Sequence, residues 1–517
     1  MRQRIATILF LLLTFYGATT LRAQQKIYFQ ADLLEYDEDL RPGVDQYTGN
    51  VIFRHGETVG YCQSADNYRN ENRLHAYGNP VRIHVNDSVT LYGKEIIYDG
   101  NSRVVSIFYN VRLTDNSTTL YTDSMTYDLE AKMGYYLCGG RMVSDSNVLT
   151  SQKGYYYTDS KTAYVSDDVL FVNETYTGTC DNAAYNTATE VLHFTSRTHL
   201  YSTENEAWTD KGWYDTKEEL VSLVGNAELH NQNQHISGDS LYFDNNIKYG
   251  QGWNHVHLVD SVQNFIVDGN YLEYLDCQYA ISTDSCMLTI IDEGNDSLFL
   301  HADTLRVLFD TVQNPTDMFA YNHAKFFRHD MQGACDSLVY HLNDSIILMF
   351  YSPVVWSAEN QLTADTIKFI ILDSANIDVH LCRTAFIASS LFNETEFNQI
   401  RGITIVGRIH ERELVRVDVV GNAECLYYIQ EEDSSLIGVN STMTSEMTIF
   451  FKDSEIQTIR FYNDPDGKLH PDQELTADDR RLKDFKWMSA FRPASISEIF
   501  DNPVIRPEET SKTTAEP

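Results

Sequence analysis

The sequence predicts an all-β chain, an elongated, repetitive β-solenoid of about 29-residue units with little helix outside the last fifty residues. Three observations predict it. An aromatic residue recurs at Tyr68, Tyr98, Tyr127, Tyr157, Tyr185, Tyr214, Phe243, Tyr274, Phe309, Tyr340 and Phe369, at intervals of 30, 29, 30, 28, 29, 29, 31, 35, 31 and 29 residues. Within each interval apolar residues stand two apart, the period of a strand whose side chains alternate between faces. Turn-forming Gly-Asn and Asp/Asn clusters punctuate these runs. Such even spacing marks one supersecondary unit stacked on copies of itself, each burying a face that it cannot bury alone. With about 4.8 Å per strand as the smallest advance, eleven units make a rod of at least roughly 50 Å.

Taken in order, Met1-Arg2-Gln3-Arg4, apolar Ile5 to Tyr16 and Leu21-Arg22-Ala23 form the basic, hydrophobic and cleavage regions of a secretory signal, residues 1–23. The competing reading, a retained membrane anchor, has the shortness of the apolar run against it. No cysteine lies near the cleavage point, which speaks against a lipoprotein. The repeat domain spans 24–390 and opens with Lys26-Ile27-Tyr28-Phe29 as an edge strand suited to strand addition by a partner. Its units carry two half-motifs. One is a turn then alternating apolar residues, as in Gly49-Asn50-Val51-Ile52-Phe53, Gly78-Asn79-Pro80-Val81-Arg82-Ile83 and Gly225-Asn226-Ala227-Glu228-Leu229, where Gly-Asn supplies the positive-φ turn that starts the strand. The other runs Asp, Ser or Thr, apolar, any residue, aromatic, as in Asp239-Ser240-Leu241-Tyr242-Phe243 and Asp365-Thr366-Ile367-Lys368-Phe369. A terminal β block is expected over 391–465, a C-terminal cap segment over 466–502 with Phe485-Lys486-Trp487-Met488 to Phe500 folding back, and a disordered tail over 503–517.

Composition narrows the function. A hydrophobic share of 43% excludes wholesale disorder, and 33 tyrosines suit strands half in and half out of a core. The formal charge is −35, and removing Arg2, Arg4 and Arg22 with the signal takes it to −35 − 3 = −38. So acidic a surface repels nucleic acid and anionic headgroups, yet does not forbid burying acyl chains inside. The eight cysteines show no zinc spacing and read mostly as small buried hydrophobes, with Cys277 and Cys286 as the one disulfide candidate. No HExxH, GxSxG, P-loop or strand-following GxGxxG occurs, so the chain is not expected to be an enzyme, and neither a metal nor a cofactor is expected.

The motifs together resemble a family. Gly49, Asn50, Val51, Phe53, Ala65, Asp66 and Tyr68, echoed by Gly225, Asn226, Ala227, Leu229, Asp239 and Phe243, follow the pattern of the OstA-like proteins, which include LptA. Gly421-Asn422-Ala423-Glu424-Cys425-Leu426-Tyr427-Tyr428 looks like a final block of a long member. The resemblance covers roughly residues 25–465. It implies a folded-over β-jellyroll open along one edge, a periplasmic location, lipopolysaccharide held by its acyl chains, and outer-membrane assembly as the process served. It also implies other transport proteins as partners by edge-strand addition and end-to-end homo-oligomers.

On this basis Val51, Phe53, Val81, Ile83, Val111, Leu113, Val169, Phe171, Leu229, Val256 and Leu258 are the expected lipid-binding trough. The alternative is that these side chains simply fill a closed core, in a secreted or surface scaffold or adhesin without lipid cargo.

Overall fold

The computed structural model describes residues 26–291, 297–391, 394–411, 413–430, 436–452, 455–471, 475–476 and 478–501. The expected signal and tail, 1–23 and 503–517, lie outside the described residues. Among the described residues there are forty β-strands, and helix is confined to 3-10 turns at Asp478–Arg480, Ser489–Phe491 and Ile496–Phe500. The all-β expectation holds.

A repeated corner explains the architecture. Val44–His55 pairs with Thr58–Tyr68 in two blocks, Val44–Thr48 and Val51–His55, separated by a bulge. Gly49 (φ +81°) and Asn50 (φ +43°) occupy that bulge, and two successive left-handed residues recur at Tyr109-Asn110, Asp167-Asp168, Gly225-Asn226, Asn254-His255 and Gly421-Asn422. Left-handed φ costs glycine nothing and is tolerated by Asn, Asp and His, hence all of these residue types except Tyr109. Gly-Asn therefore does not begin a strand, as the sequence suggested. It folds one long strand in its middle without ending the pairing.

Each folded strand belongs to two walls. Thr118–Asp128 pairs through its first half with Gly140–Ser144 and through its second with Met133–Tyr136. Phe265–Leu275 divides likewise between Met287–Ile290 and Tyr279–Thr283. The walls meet at the corners, and their hairpin tips form a lip. The chain comprises two compact units, Met1–Thr203 with Asp210–Lys217, and Glu204–Thr209 with Glu218–Pro517.

In the first unit the interior is sealed. Tyr98, Tyr127, Tyr156, Tyr185 and Tyr214 stand 29 residues apart and are each at most 1% exposed. Tyr157, taken from the sequence as the marker, is instead on the outer face at 37%. In Lys153–Tyr157 burial alternates so that Gly154 and Tyr156 point inward. The Phe53 ring lies so close over Gly60 that a Cβ there would sit 1.9 Å from it.

In the second unit Leu300, Leu338, Met349, Ile367, Leu381, Ile405 and Ile449 belong to one buried cluster. The segment expected as a cap differs in two ways. Asp466–Pro471 is a strand paired with Leu436–Lys452, and residues 478–501 form a strap across the outer face of one wall. Trp356, Val354 and Ala334 are buried under Met488 and Phe491, Phe485 and Trp487 pack on Phe397, and Phe500 packs on His301. Three buried glutamines fasten it. Gln399 donates to Arg480 O and accepts from Leu482 N, Gln361 donates to Lys486 O and accepts from Met488 N, and Gln332 accepts from Arg492 Nε.

All eight cysteines are free thiols, so Cys277 and Cys286 form no disulfide. Cys286 is buried and directs its Sγ at the Ala302 carbonyl oxygen, whereas Cys277 occupies a tight turn at φ +55°.

Candidate functional site

The space between the walls is the candidate site, and the two units present it differently. Of the expected trough residues, Val51, Phe53, Val81, Ile83, Val111, Leu113, Val169 and Phe171 lie in the first unit and are at most 3% exposed. Leu229, Val256 and Leu258 lie in the second. There Val256 is buried, while Leu229 and Leu258 are half-buried.

Hydrogen bonds stitch the lip of the first unit. The Tyr98 hydroxyl and His55 Nδ1 are 2.5 Å apart. Tyr156 donates to Asp115 at 2.9 Å, Tyr185 accepts from Asn147 at 3.0 Å, and Tyr214 accepts from Asn173 at 3.1 Å. In each case the tyrosine comes from one wall and its partner from the tip of the other. Lys161 Nζ adds contacts of 2.6 Å to both oxygens of Asp115, whose side chain is fully buried. Burial pushes the hydroxyls of Tyr98, Tyr127 and Tyr185 up to about 12, so they remain protonated.

The second unit departs from this over residues 229–274. Phe243 has no hydroxyl, and Tyr274 turns its own to Asp276 on the same wall. Registers place Leu229 opposite Ile236, Ile236 opposite Leu258, and Leu258 opposite Val267 along one tip. Phe243, Gly250 and Tyr274 are successive partners along the other. Leu229, Ile236, Phe243, Leu258, Val267 and Tyr274 are all half-buried, whereas Ala227, Leu241 and Val256 beside the corners are buried. Gly250 and Gly252 leave inward positions without a side chain, and a Cβ at Gly250 would meet Phe243 at an ordinary 3.4 Å. The result is an apolar cleft, tight at its floor and unsealed at its lip. A fully buried Leu, Phe or Val side chain contributes about 1.5–3 kcal/mol, and these half-exposed ones retain part of that for whatever apolar matter enters.

Sequence reasoning named Leu229 and Leu258 but missed Ile236, Phe243, Val267 and Tyr274. Their signal was available in the second half-motif, whose alternate residues share the inward face.

Other chemistry is sparse. Burial pushes Cys335 and Cys425 up to about 12, which leaves them poor nucleophiles. On the outer face Glu228, His230 and His235 bring ligand atoms within 4.8 Å of one another, a set of donors suited to a borderline divalent ion, although no metal spacing is visible in the sequence.

Comparison with known proteins gives one family, described as OstA-like protein, matching residues 24–181. No curated protein matches the chain. Among solved structures, LptH of Pseudomonas aeruginosa, described as the LptA homologous periplasmic component of the conserved lipopolysaccharide transport device, is similar at 22% identity. The similarity covers 20% of this chain and 77% of that one, with a TM-score of 0.19.

Proposed function

From a chain that is OstA-like over residues 24–181 and repeats the same cornered hairpin beyond them, we propose a carrier of lipopolysaccharide or a similar glycolipid, exported to the periplasm and serving outer-membrane assembly. The observation that carries the proposal is the unsealed apolar cleft over residues 229–274. Acyl chains enter there between the tips bearing Leu258 and Phe243, and each methylene removed from water gains about 0.8 kcal/mol. Neighbouring positions along such a cleft offer nearly equal energies, so cargo slides without a local motor. In the first unit the same trough, from Val51 to Phe171, admits a chain only where tyrosine stitches part. At the N-terminus Tyr28–Gln30 and Leu33–Tyr36 pair only with Val44–His55 among the described residues, which leaves their outer edges free for strand addition.

A photo-crosslinking residue at Phe243 or Leu258 is expected to capture glycolipid in cells, and one at Phe53 to capture far less. Absence of capture at all three positions in a folded protein removes the transport reading. A second reading, a lipid-free scaffold displayed outside the cell, draws on the filled interior of the first unit. It predicts that fractionation finds the chain beyond the outer membrane and that Gly250→Leu, which plugs the cleft, leaves its role intact.

A further inference from the structure

The outer face of the first unit carries a ladder that the acyl trough does not use. Tyr61, Arg82, Tyr92, Arg112, Tyr121 and Arg141 are direct cross-strand partners on six successive strands, phenol and guanidinium in strict alternation. The Arg82 guanidinium lies 4.7 Å from the Tyr61 ring centre and that of Arg112 lies 4.1 Å from Tyr92. Tyr92, Arg112, Tyr121 and Arg141 line an open groove of about 600 Å³, floored by Pro80 and Gly140 and bordered by one acid, Asp123.

What singles this strip out is three cations without a carboxylate partner standing in one cross-strand row. In a chain of net charge −35, Arg41, Arg69, Arg73, Lys132, Lys153 and Lys161 of the same unit all pair with carboxylates. Among the described residues Arg54, Lys94 and Arg103 of this unit also lack a carboxylate within ion-pair distance, but only Arg82, Arg112 and Arg141 lack one while sharing a row. Their planar forks, those of Arg82 and Arg112 held over phenol rings, keep their donors for an outside acid. Tyrosine rings between them present flat amphipathic faces of the kind on which the C–H face of a pyranose stacks.

We propose that this ladder is a binding site for an acidic glycan, an extended oligosaccharide whose carboxylate or phosphate groups meet the arginines while its sugar rings lie on Tyr92 and Tyr121. Successive arginines are two strands apart, about 9.6 Å, so the site fits acids spaced along a chain. Duplex nucleic acid carries one charge per about 1.7 Å, and three cations on so acidic a protein do not offset its repulsion. An anionic bilayer calls for clusters of about 4–8 basic residues. The site is independent of the proposal for the interior cleft.

The test is calorimetric titration of the full chain with hexagalacturonate, with a chondroitin sulfate hexasaccharide, and with the methyl ester of hexagalacturonate as the uncharged control. At least one acidic oligosaccharide is expected to bind and the ester not. Arg112→Gln should weaken binding roughly tenfold, the loss of about one charge-assisted hydrogen bond. The triple change R82Q/R112Q/R141Q should abolish it while the melting temperature stays near that of the parent. Tyr92→Leu, which keeps every charge, should also weaken it. The proposal is overturned by silence from both acidic oligosaccharides, by equal binding of the ester, by undiminished binding of the triple variant, or by equally tight binding of a single-stranded oligonucleotide or of phosphatidylglycerol vesicles.

Discussion

Asp115 is the residue on which the first unit's lip depends most. Its side chain is fully buried, and Lys161 and Tyr156 together satisfy both oxygens. Removing one partner of such a pair leaves an uncompensated buried charge, at a cost of about 3–5 kcal/mol. Lys161→Met should therefore lower stability by about 3 kcal/mol in chemical denaturation, and Asp115→Asn in the same background should restore part of it. Three histidines of the second unit act through pH. Burial holds His235, His301 and His380 below the ordinary value of 6.5. Their unfolded forms bind protons that their folded forms refuse, so stability is full above about 6.5 and falls as pH drops toward the lowered folded values. Thermal melts at pH 7.5 and 5.5 should show the loss at the lower pH. His301→Gln should reduce it, because His301 is the most buried of the three and supports Phe500 of the strap.

At the scale of elements, the tyrosine stitches and the strap make separable contributions. Each Tyr→Phe change at positions 98, 156, 185 and 214 should cost about 1 kcal/mol. The fourfold variant should also admit glycolipid more readily to the first unit, read as crosslinking at Phe53 well above that of the parent. Gln361→Leu strips two partners from the strap backbone at Lys486 and Met488 and should cost about 1–3 kcal/mol. Deleting 478–517 should be far worse, since it bares Trp356 and Phe397 together. Much of this was legible in the aromatic beat, because every rung must bury one large side chain at the same place. The beat slipped at Tyr155-Tyr156-Tyr157, where three like residues hide which parity points inward, although 29 residues from Tyr127 already marks Tyr156. The stitches were hidden for another reason. Each joins a tyrosine to a polar residue 43, 41, 38 or 41 positions upstream, a separation that appears only once the strand is folded at its corner. The strap's hydrophobic segment was visible, but its route was not, because a single buried glutamine per rung carries no pattern in sequence.

At the scale of the whole molecule, one repeat has been used in two ways. Residues 44–217 close the space between walls with phenols and polar tips, whereas residues 229–274 keep the same walls and omit the closure. The difference lies in a handful of substitutions at fixed positions of the beat, Phe243 for a stitching tyrosine and Gly252 where the sealed unit has Tyr136, while Gly250 has its counterpart in Gly134, so sequence periodicity alone could not separate sealed from open. Local stability should follow this division, since backbone amides near unsealed, half-exposed tips open more readily than those under a buried network. In hydrogen exchange of the full chain, amides at 113–120 should be protected longer than those at 229–236 and 258–267. Added glycolipid should slow exchange at the latter two and leave the former unchanged. The opposite ranking in the unliganded protein would show that the missing stitches do not loosen the lip, and slowing spread evenly over both units would place the cargo along both interiors.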